Sequence, residues 1–219
     1  MAQLSQETVN AVLEKGRMYE VGGAVRDRLL TGQGSHDLDF LVTGITYDDL
    51  SHILRKHGQV NLVGRSFGVI KYTEYRGGEP VTFDISLPRT EYSTGVGHKD
   101  FEVKYDPTLS VEDDLVRRDF TINAMAIELG TDTLIDPLDG RTDLANRLIR
   151  IVYPESFTDD PLRMLRAIVF AARFEFEIEE RTFALLGENA QLIHTVSAER
   201  IADELRKLQR ENTRLRIIE

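Results

Sequence analysis

Several short segments within the first 150 residues alternate apolar and polar positions, and glycine-rich turns separate them. A period of two predicts β-strands, because successive side chains of a strand point to opposite faces of a sheet. The sequence Arg76-Gly77-Gly78 is typical of a hairpin turn between two such segments. The predicted strands are 18–21, 36–43, 60–62, 69–74, 80–87 and 134–135.

Helical spacing dominates after about residue 150, where Leu, Ala, Arg and Glu are frequent. We therefore predict an α/β first part over 1–150 and a helical second part over 151–219. The polar stretch 90–107 is predicted to be a long loop. The predicted helices are 5–15, 24–30, 47–57, 160–174 and 198–209, with 111–125 helical at least in part.

Composition narrows the class of protein without naming it. The 219 residues include 37 acidic and 27 basic side chains, for a net charge of −10, which argues against coating nucleic acid through bulk charge. The chain has no cysteine, so disulfides, cysteine-ligated zinc and a thiol nucleophile are excluded, and a reducing cytoplasm is the expected location. No apolar run is long enough to predict a membrane span, and the N-terminal sequence does not resemble a secretory signal.

Gly22 and Gly23 interrupt the first predicted strand and precede the predicted helix AVRDRLL. Glycines let a ligand approach the main chain closely, and a helix N-terminus offers N–H groups to phosphate. Arg26 adds a positive charge in the first helical turn. A simple tight turn is the more ordinary explanation, and the Gly-Lys-Ser/Thr of a P-loop is absent from the sequence.

Asp37 and Asp39 lie two positions apart in a predicted strand, which places both carboxylates on one face. Such carboxylates repel each other unless a cation or a proton lies between them, and Mg²⁺ prefers oxygen ligands of this kind. Asp84 has the same setting in VTFDISL. If the two strands are neighbours, the three carboxylates share one face, as a site for phosphoryl transfer requires. A solvated strand face is the alternative.

Two charged runs allow both a structural and a functional interpretation. In EDDLVRRDFTINAMA, Arg118 lies among acidic residues, and ion pairs within a helix are the ordinary meaning of such a run. In DDPLRMLR, a spacing of three places Asp160, Arg163 and Arg166 along one helix face. Helix capping and an ion pair are sufficient to explain that run as well.

These motifs occur in a defined order. Together they closely resemble the class II tRNA nucleotidyltransferase (CCA-adding enzyme) and bacterial poly(A) polymerase family, over about residues 17–208. The resemblance implies an α+β head domain of the DNA polymerase beta-like nucleotidyltransferase fold, with a mixed sheet and flanking helices, followed by an all-helical neck. The matching segments are GGAVRD at 22–27, DLD at 37–39, RRDFTINAMA at 117–126, DPLDG at 136–140 and DDPLRMLRA at 159–167.

The resemblance also implies an activity and a set of residues. Asp37 and Asp39 would hold catalytic Mg²⁺, and Asp84 would be a further acidic residue of the catalytic site. The reaction would add CMP or AMP, from CTP or ATP, to the 3′ end of tRNA. The residues that match nucleotide-binding positions are Gly22, Gly23, Arg26, Arg118, Asp160, Arg163 and Arg166.

Some features depart from the family pattern. Asp159 replaces a glutamate, which is chemically mild, and Val169 replaces an arginine, which we expect to weaken triphosphate binding or to change nucleotide preference. The sequence stops after a neck helix, so we expect the RNA-gripping domains of the family to be missing from it. Poly(A) addition, and binding of nucleotide or RNA without catalysis, remain open alternatives.

Overall fold

The computed structural model describes residues 3–32, 38–64, 68–93 and 101–210. The strands are β1 (Arg17–Val21), β2 (Asp39–Thr43), β3 (Gln59–Gly64), β4 (Val69–Arg76), β5 (Glu79–Ser86), β6 (Arg89–Ser93), β7 (Phe101–Tyr105), β8 (Ala126–Glu128), β9 (Leu134–Ile135), β10 (Leu148–Ile149) and β11 (Glu177–Ile178). The helices are α1 (Gln6–Leu13), α2 (Gly23–Thr31), α3 (Tyr47–Leu54), α4 (Val111–Leu115), α5 (Gly140–Ala145), α6 (Ser156–Asp159), α7 (Leu162–Phe174), α8 (Glu180–Asn189) and α9 (Ala198–Arg210).

The main sheet has the strand order β3-β4-β5-β2-β1-β8-β9. Strands β2 and β5 run parallel, whereas the other neighbours in this sheet are antiparallel. This mixed sheet with flanking helices confirms the predicted α+β fold class. The hairpin between β4 and β5 is also confirmed, since Arg76 pairs with Glu79 and both turn glycines have positive φ.

The sheet carries a hydrophobic core on each face. Phe40 and Val42 of β2 belong to a core that includes residues of α1 and α3, and Leu41 belongs to a second core with residues of α4. Strand β2 is therefore buried on both faces beyond its first residue. That residue, Asp39, is exposed, so the strand carries an open polar position next to a rigid apolar segment.

Capping side chains start several of the helices. Ser5, Thr46 and Ser110 each accept a hydrogen bond from the main-chain N–H three residues ahead, at 3.2 Å in every case. This arrangement satisfies N–H groups that a helix leaves without an internal partner. Helix α2 instead starts after Gly22 and ends at Gly32, whose φ of +69° suits glycine.

One prediction about local structure was wrong, and the prediction that 111–125 is helical at least in part is confirmed. The stretch 90–107 is not wholly a loop, because β6 and β7 pair antiparallel within it, while residues 94–100 lie outside the described part. Its β-branched and aromatic residues recur at alternate positions, although the polar residues between them hide this pattern. The stretch 111–125 is helical only at α4 and at a 3₁₀ turn, Thr121–Asn123.

Over the described residues 151–210, the regular elements are helices apart from β11, which pairs in parallel with β10. Helix α7 packs against the first part of the chain through a core that joins Ala167 and Phe170 to Val25, Phe120 and other residues. The all-helical neck expected from the resemblance thus contains one short strand. In the described residues, no helix is long and apolar enough to cross a membrane.

Candidate active site

Two of the predicted acidic residues meet on neighbouring strands. Asp39 of β2 and Asp84 of β5 are direct partners in the parallel register, so their side chains share one face of the sheet. Lys71 of β4 is the next partner in this row, and its Nζ lies 3.1 and 3.4 Å from the two carboxylate oxygens of Asp84. The expected neighbourhood of the two strands is confirmed. Asp37 lies outside the described residues.

The glycine turn lies beside this acidic row. Val21, the last residue of β1, pairs with Asp39, and Gly22 follows it directly. Gly22 has a φ of +71°, and a Cβ there would lie 2.7 Å from Nη1 of Arg118. The backbone conformation therefore favours glycine, and a larger residue would also displace the tip of the Arg118 side chain. The structure brings Gly22, Gly23 and Arg118 together at the end of the sheet that carries Asp39.

Arg118 is held by a buried carboxylate. Asp114 is fully buried and accepts hydrogen bonds from Arg118 Nη2 at 3.0 Å and from Arg117, so the ion pairs predicted for this run are present. Burial by itself would raise the pKa of Asp114, but the two guanidinium groups outweigh it and hold that pKa below its usual value. Asp114 thus keeps Arg118 oriented next to the glycine turn.

Arg26 is buried, whereas its predicted contact with nucleotide suggests a side chain that is accessible before the ligand binds. Its Nη1 donates to Oδ1 of Asn123 at 2.6 Å, and its Nη2 donates to Asp27 at 2.7 Å. The guanidinium carbon lies 4.6 Å from the ring centroid of Phe174 and 5.3 Å from that of Phe170. Burial lowers the pKa of Arg26, against the opposing effect of Asp27. Arg26 therefore ties α2 to α7.

Asp119 connects the two parts of the chain. Its Oδ1 accepts from Asn123 Nδ2 at 2.9 Å, and its Oδ2 accepts from Arg166 Nη2 at 2.6 Å and Nε at 2.9 Å. Burial would raise the pKa of Asp119, yet Arg166 and the hydrogen bonds hold that pKa below its usual value. A continuous chain of polar contacts therefore runs from Arg26 through Asn123 and Asp119 to Arg166.

Arg163 faces the same loop as Arg166. Its Nη2 donates to the carbonyl oxygen of Arg117 at 3.1 Å, and its Nη1 donates to Oγ of Ser156 at 2.5 Å and to the hydroxyl of Tyr153 at 3.2 Å. Asp160, one turn earlier, accepts from Arg200 of α9 at 2.9 and 3.2 Å. Asp160, Arg163 and Arg166 thus each hydrogen-bond to other parts of the protein.

Sequence reasoning missed the partners that orient these side chains. Asp119 and Asn123 lie inside the RRDFTINAMA motif, so the motif itself was a signal for them. Arg200 gave no local signal, because it is 40 residues away from Asp160. The structure also describes the two residues that depart from the family pattern. Asp159 accepts a hydrogen bond from the Tyr153 hydroxyl at 2.8 Å, and Val169 is fully buried.

The chemistry of the acidic row suits a hard cation. Carboxylate oxygens are the ligands that Mg²⁺ prefers. Among the described residues, however, no group of three or more His, Asp or Glu side chains is close enough to hold a metal ion. Asp39 and Asp84 supply two carboxylates on one face, and the position of the third predicted acid, Asp37, is not described.

A cavity of about 700 Å³ lies away from this site. It is lined at the far ends of β1 and β2 by Arg17, Tyr19 and Thr43, whereas Asp39 and Gly22 are at the opposite ends of these strands. None of the predicted site residues lines this cavity. The candidate active site is therefore the exposed acidic edge where Asp39, Asp84 and the glycine turn meet, at the ends of β1 and β2, and not this cavity.

Comparison with known families agrees with this geometry. The family model described as "Poly A polymerase head domain" matches residues 18–150, and the one described as "Probable RNA and SrmB- binding site of polymerase A" matches residues 175–214. The chain belongs to the class II tRNA nucleotidyltransferase and bacterial poly(A) polymerase family.

Particular relatives point to one branch of the family. The chain is 41% identical over 196 residues to the Multifunctional CCA protein of Stenotrophomonas maltophilia, and 44% identical over 193 residues to that of Aromatoleum aromaticum. These matches cover 87% and 86% of this chain but only 45% and 44% of the relatives. The chain therefore spans a little under half the length of these curated relatives.

Solved structures show the same likeness. The CCA-adding enzyme of Bacillus stearothermophilus in complex with CTP is 31% identical, with a TM-score of 0.77 over 95% of this chain and 49% of that one. A tRNA nucleotidyltransferase complexed with a primer tRNA and an incoming ATP analog is 32% identical, with a TM-score of 0.75 over 94% of this chain and 57% of that one.

Proposed function

We propose that this chain is the catalytic and nucleotide-binding portion of a template-independent RNA nucleotidyltransferase that adds CMP, AMP or both to tRNA 3′ ends. The observation that carries the proposal is the register of Asp39 with Asp84 beside the Gly22 turn. This register supports the proposal, because carboxylate oxygens of the kind that a hard cation prefers lie near a glycine turn of the kind that suits phosphate. A head domain over 1–150, a neck over 151–219 and a cytoplasmic location remain predictions.

The acidic row fits a divalent cation, which members of this family typically use. Asp37 and Asp39 would hold Mg²⁺, with Asp84 as a further carboxylate, because hard cations prefer such oxygens. When bound, the cation supplies positive charge that neutralises the triphosphate and favours ionisation of an attacking hydroxyl. Lys71 holds the Asp84 carboxylate in place from the neighbouring strand.

The glycine turn and the arginines form the proposed triphosphate site. Gly22 and Gly23 leave the main chain open to a phosphate at the start of α2, and Arg118 contributes positive charge at the same place. Arg26 and Arg166 are further nucleotide-binding candidates. Both are joined through hydrogen bonds to Asn123 and Asp119.

Asp160 and Arg163 are the proposed base-selecting pair. ATP and CTP present an exocyclic amino donor next to a ring-nitrogen acceptor, so a carboxylate accepts from the first and a guanidinium donates to the second. UTP and GTP reverse this order and would leave charged groups unpaired, which is costly. One pair of side chains therefore accepts two nucleotides and rejects the other two.

In the reaction, the 3′-hydroxyl oxygen of the RNA attacks the α-phosphorus of the bound nucleotide. The bond from that phosphorus to the bridging oxygen breaks, and pyrophosphate leaves. Asp39 and Asp84 are the carboxylates available to accept the hydroxyl proton. The protein contributes the orientation of both substrates, which by itself removes a large part of the barrier.

Incorporation of labelled nucleotide tests this proposal. The full-length protein is incubated with Mg²⁺, with CTP or ATP, and with three primers: tRNA ending before CCA, tRNA ending in CC, and oligo(A). We expect addition to the tRNA primers. Addition only to oligo(A) would instead establish a poly(A) polymerase, the alternative that the matched head-domain family favours. Binding of CTP or ATP without incorporation would show a module that is not catalytic.

A further inference from the structure

We infer that Arg200 is a positioning residue that sets nucleotide selectivity by fixing the Asp160 carboxylate. This inference rests on the proposed function, in which Asp160 and Arg163 select the base. The guanidinium of Arg200 approaches Asp160 as a fork, with Nη1 3.2 Å from Oδ1 and Nη2 2.9 Å from Oδ2. Two parallel bonds fix both the position and the plane of a carboxylate, which a single bond does not.

The location of Arg200 supports a role beyond a surface ion pair. Helix α9 packs against α7, and about a quarter of each partner's side chain is exposed, 27% for Arg200 and 23% for Asp160. One turn after Arg200, the buried Glu204 places Oε2 3.7 Å from Nη1 of Arg166. Helix α9 therefore contacts two nucleotide-binding candidates, Asp160 just before α7 and Arg166 within it, through two side chains on one of its faces.

The hydrogen-bonding capacity of the pair matches what it has to recognise. A carboxylate offers about four lone-pair positions. Arg200 uses two of those on Asp160, and the main-chain N–H of Leu162 uses a third at 3.2 Å. Within the described part of the chain, about one acceptor position is left, which is the number that a single exocyclic amino group requires.

Arg163 keeps complementary donors. Of its five N–H groups, Nη1 donates to Ser156 and Tyr153 and Nη2 donates to the carbonyl of Arg117, within the described residues. Nε and the second hydrogen of Nη2 remain for a ring nitrogen. Because Asp160 cannot rotate while Arg200 holds it, the acceptor and the donors stay in the order that CTP and ATP present.

Loss of Arg200 should therefore change selectivity more than stability. Without the fork, the carboxylate of Asp160 is free to turn and to accept from the ring N–H of UTP or GTP. Lysine would retain the charge but not the two-point geometry, since an ammonium group is a point charge with no fixed plane. Arg206 offers a matched control, because it is on the same helix, pairs only locally with Asp203 and is 60% exposed.

The experiment measures dissociation constants of CTP, ATP, UTP and GTP in the presence of Mg²⁺, by isothermal titration calorimetry, for the 219-residue chain. We expect the wild type to prefer CTP and ATP. In Arg200→Met the preference for CTP over UTP should fall about tenfold, which corresponds to one poorly aligned hydrogen bond of about 1.4 kcal/mol. Arg200→Lys should be intermediate, and Arg206→Met should resemble the wild type.

A double-mutant cycle tests whether Arg200 acts through Asp160. In the Asp160→Asn background, Arg200→Met should leave the CTP-to-UTP ratio unchanged. An equal weakening of all four nucleotides in Arg200→Met, or an unchanged ratio, would overturn the inference. Arg200→Lys provides the same readout if the methionine variant does not fold. A wild-type chain without any preference would instead overturn the proposed base selection itself.

Discussion

Two regions of the molecule are built in opposite ways. One is the acidic edge, formed by Asp39 and Asp84, and the other is the arginine cluster, in which Asp114 and Asp119 pair with Arg117, Arg118 and Arg166. At the edge, Asp39 is exposed, and Asp84 and its partner Lys71 have side chains that are 43% and 54% exposed. In the cluster, Asp114 and Asp119 are buried, and each is paired with a guanidinium. The described carboxylates proposed to receive a cation are exposed to solvent, whereas the carboxylates that orient the arginines are buried.

This contrast has a physical reason. A carboxylate that must exchange water for a cation gains nothing from burial, since burial penalises its charged form. An arginine that must present a few donors in one geometry gains from being held, because the entropy of ordering a long side chain is then lost on folding and not on binding. The two regions should therefore respond differently to substitution, with losses of activity at the edge and losses of stability in the cluster.

The largest effect is expected at the edge. Asp39→Asn removes the charge but keeps the shape, so nucleotide incorporation by the full-length protein should fall at least about a hundredfold, as for other groups that stabilise charge in a transition state. The melting temperature should hardly change, because the side chain is exposed. Asp132→Asn, at an exposed turn position with a side chain that is 81% exposed, serves as the control. Full activity in Asp39→Asn would contradict the proposed role.

Substitution of Asp119, the carboxylate that connects Asn123 to Arg166, should reduce stability and not activity alone. Asp119→Ala leaves Arg166 without its main partner and Asn123 without an acceptor in a buried place, which is expected to lower the free energy of unfolding by about 3–5 kcal/mol. Urea denaturation measures this change. Asp203→Ala, which breaks an exposed pair, should cost less than about 1 kcal/mol. Similar values for the two variants would remove the contrast between the regions.

Acid should weaken the cluster before it affects the fold of the sheet. The pKa values of Asp114 and Asp119 are lowered in the folded state, so their stabilisation is complete above the unfolded value of 3.8 and is lost as the pH falls through the lower folded values. The unfolding free energy should therefore drop steeply below pH 3.8. Asp114→Asn should flatten that slope; a slope equal to that of the wild type would argue against the assignment.

The smallest effect on stability is expected at the glycine turn, where Gly22 contacts Arg118 of the arginine cluster. Gly22→Ala and Gly32→Ala both place a side chain at positive φ, which costs about 1 kcal/mol. Only at Gly22 does the new Cβ also meet Arg118, since nothing lies within 4 Å of the corresponding position at Gly32. Gly22→Ala should therefore lose more stability and also bind CTP more weakly, by thermal melting and calorimetry. Equal effects of the two variants would show that the contact with Arg118 is unimportant.

Much of the local structure was predictable from the sequence because it depends on neighbours along the chain. The alternation of apolar residues predicted the strands of the main sheet apart from β8, and the helical spacing predicted α7 and α9. The period of two also predicted that Asp84 shares a face with Ser86. Prediction failed at 90–107, where polar residues conceal the pairing of β6 with β7.

The order of the motifs in the sequence identified the family and the acidic and basic residues of the candidate site. Only the tertiary structure decided that Asp39 faces Asp84, that Arg26 is buried against Phe174, and that Arg200 holds Asp160. Each of these contacts joins residues that are about 40 or more positions apart, so no local pattern reports it. Which strands adjoin and which helices pack depends on the burial of the whole apolar surface, and that is a property of the folded chain.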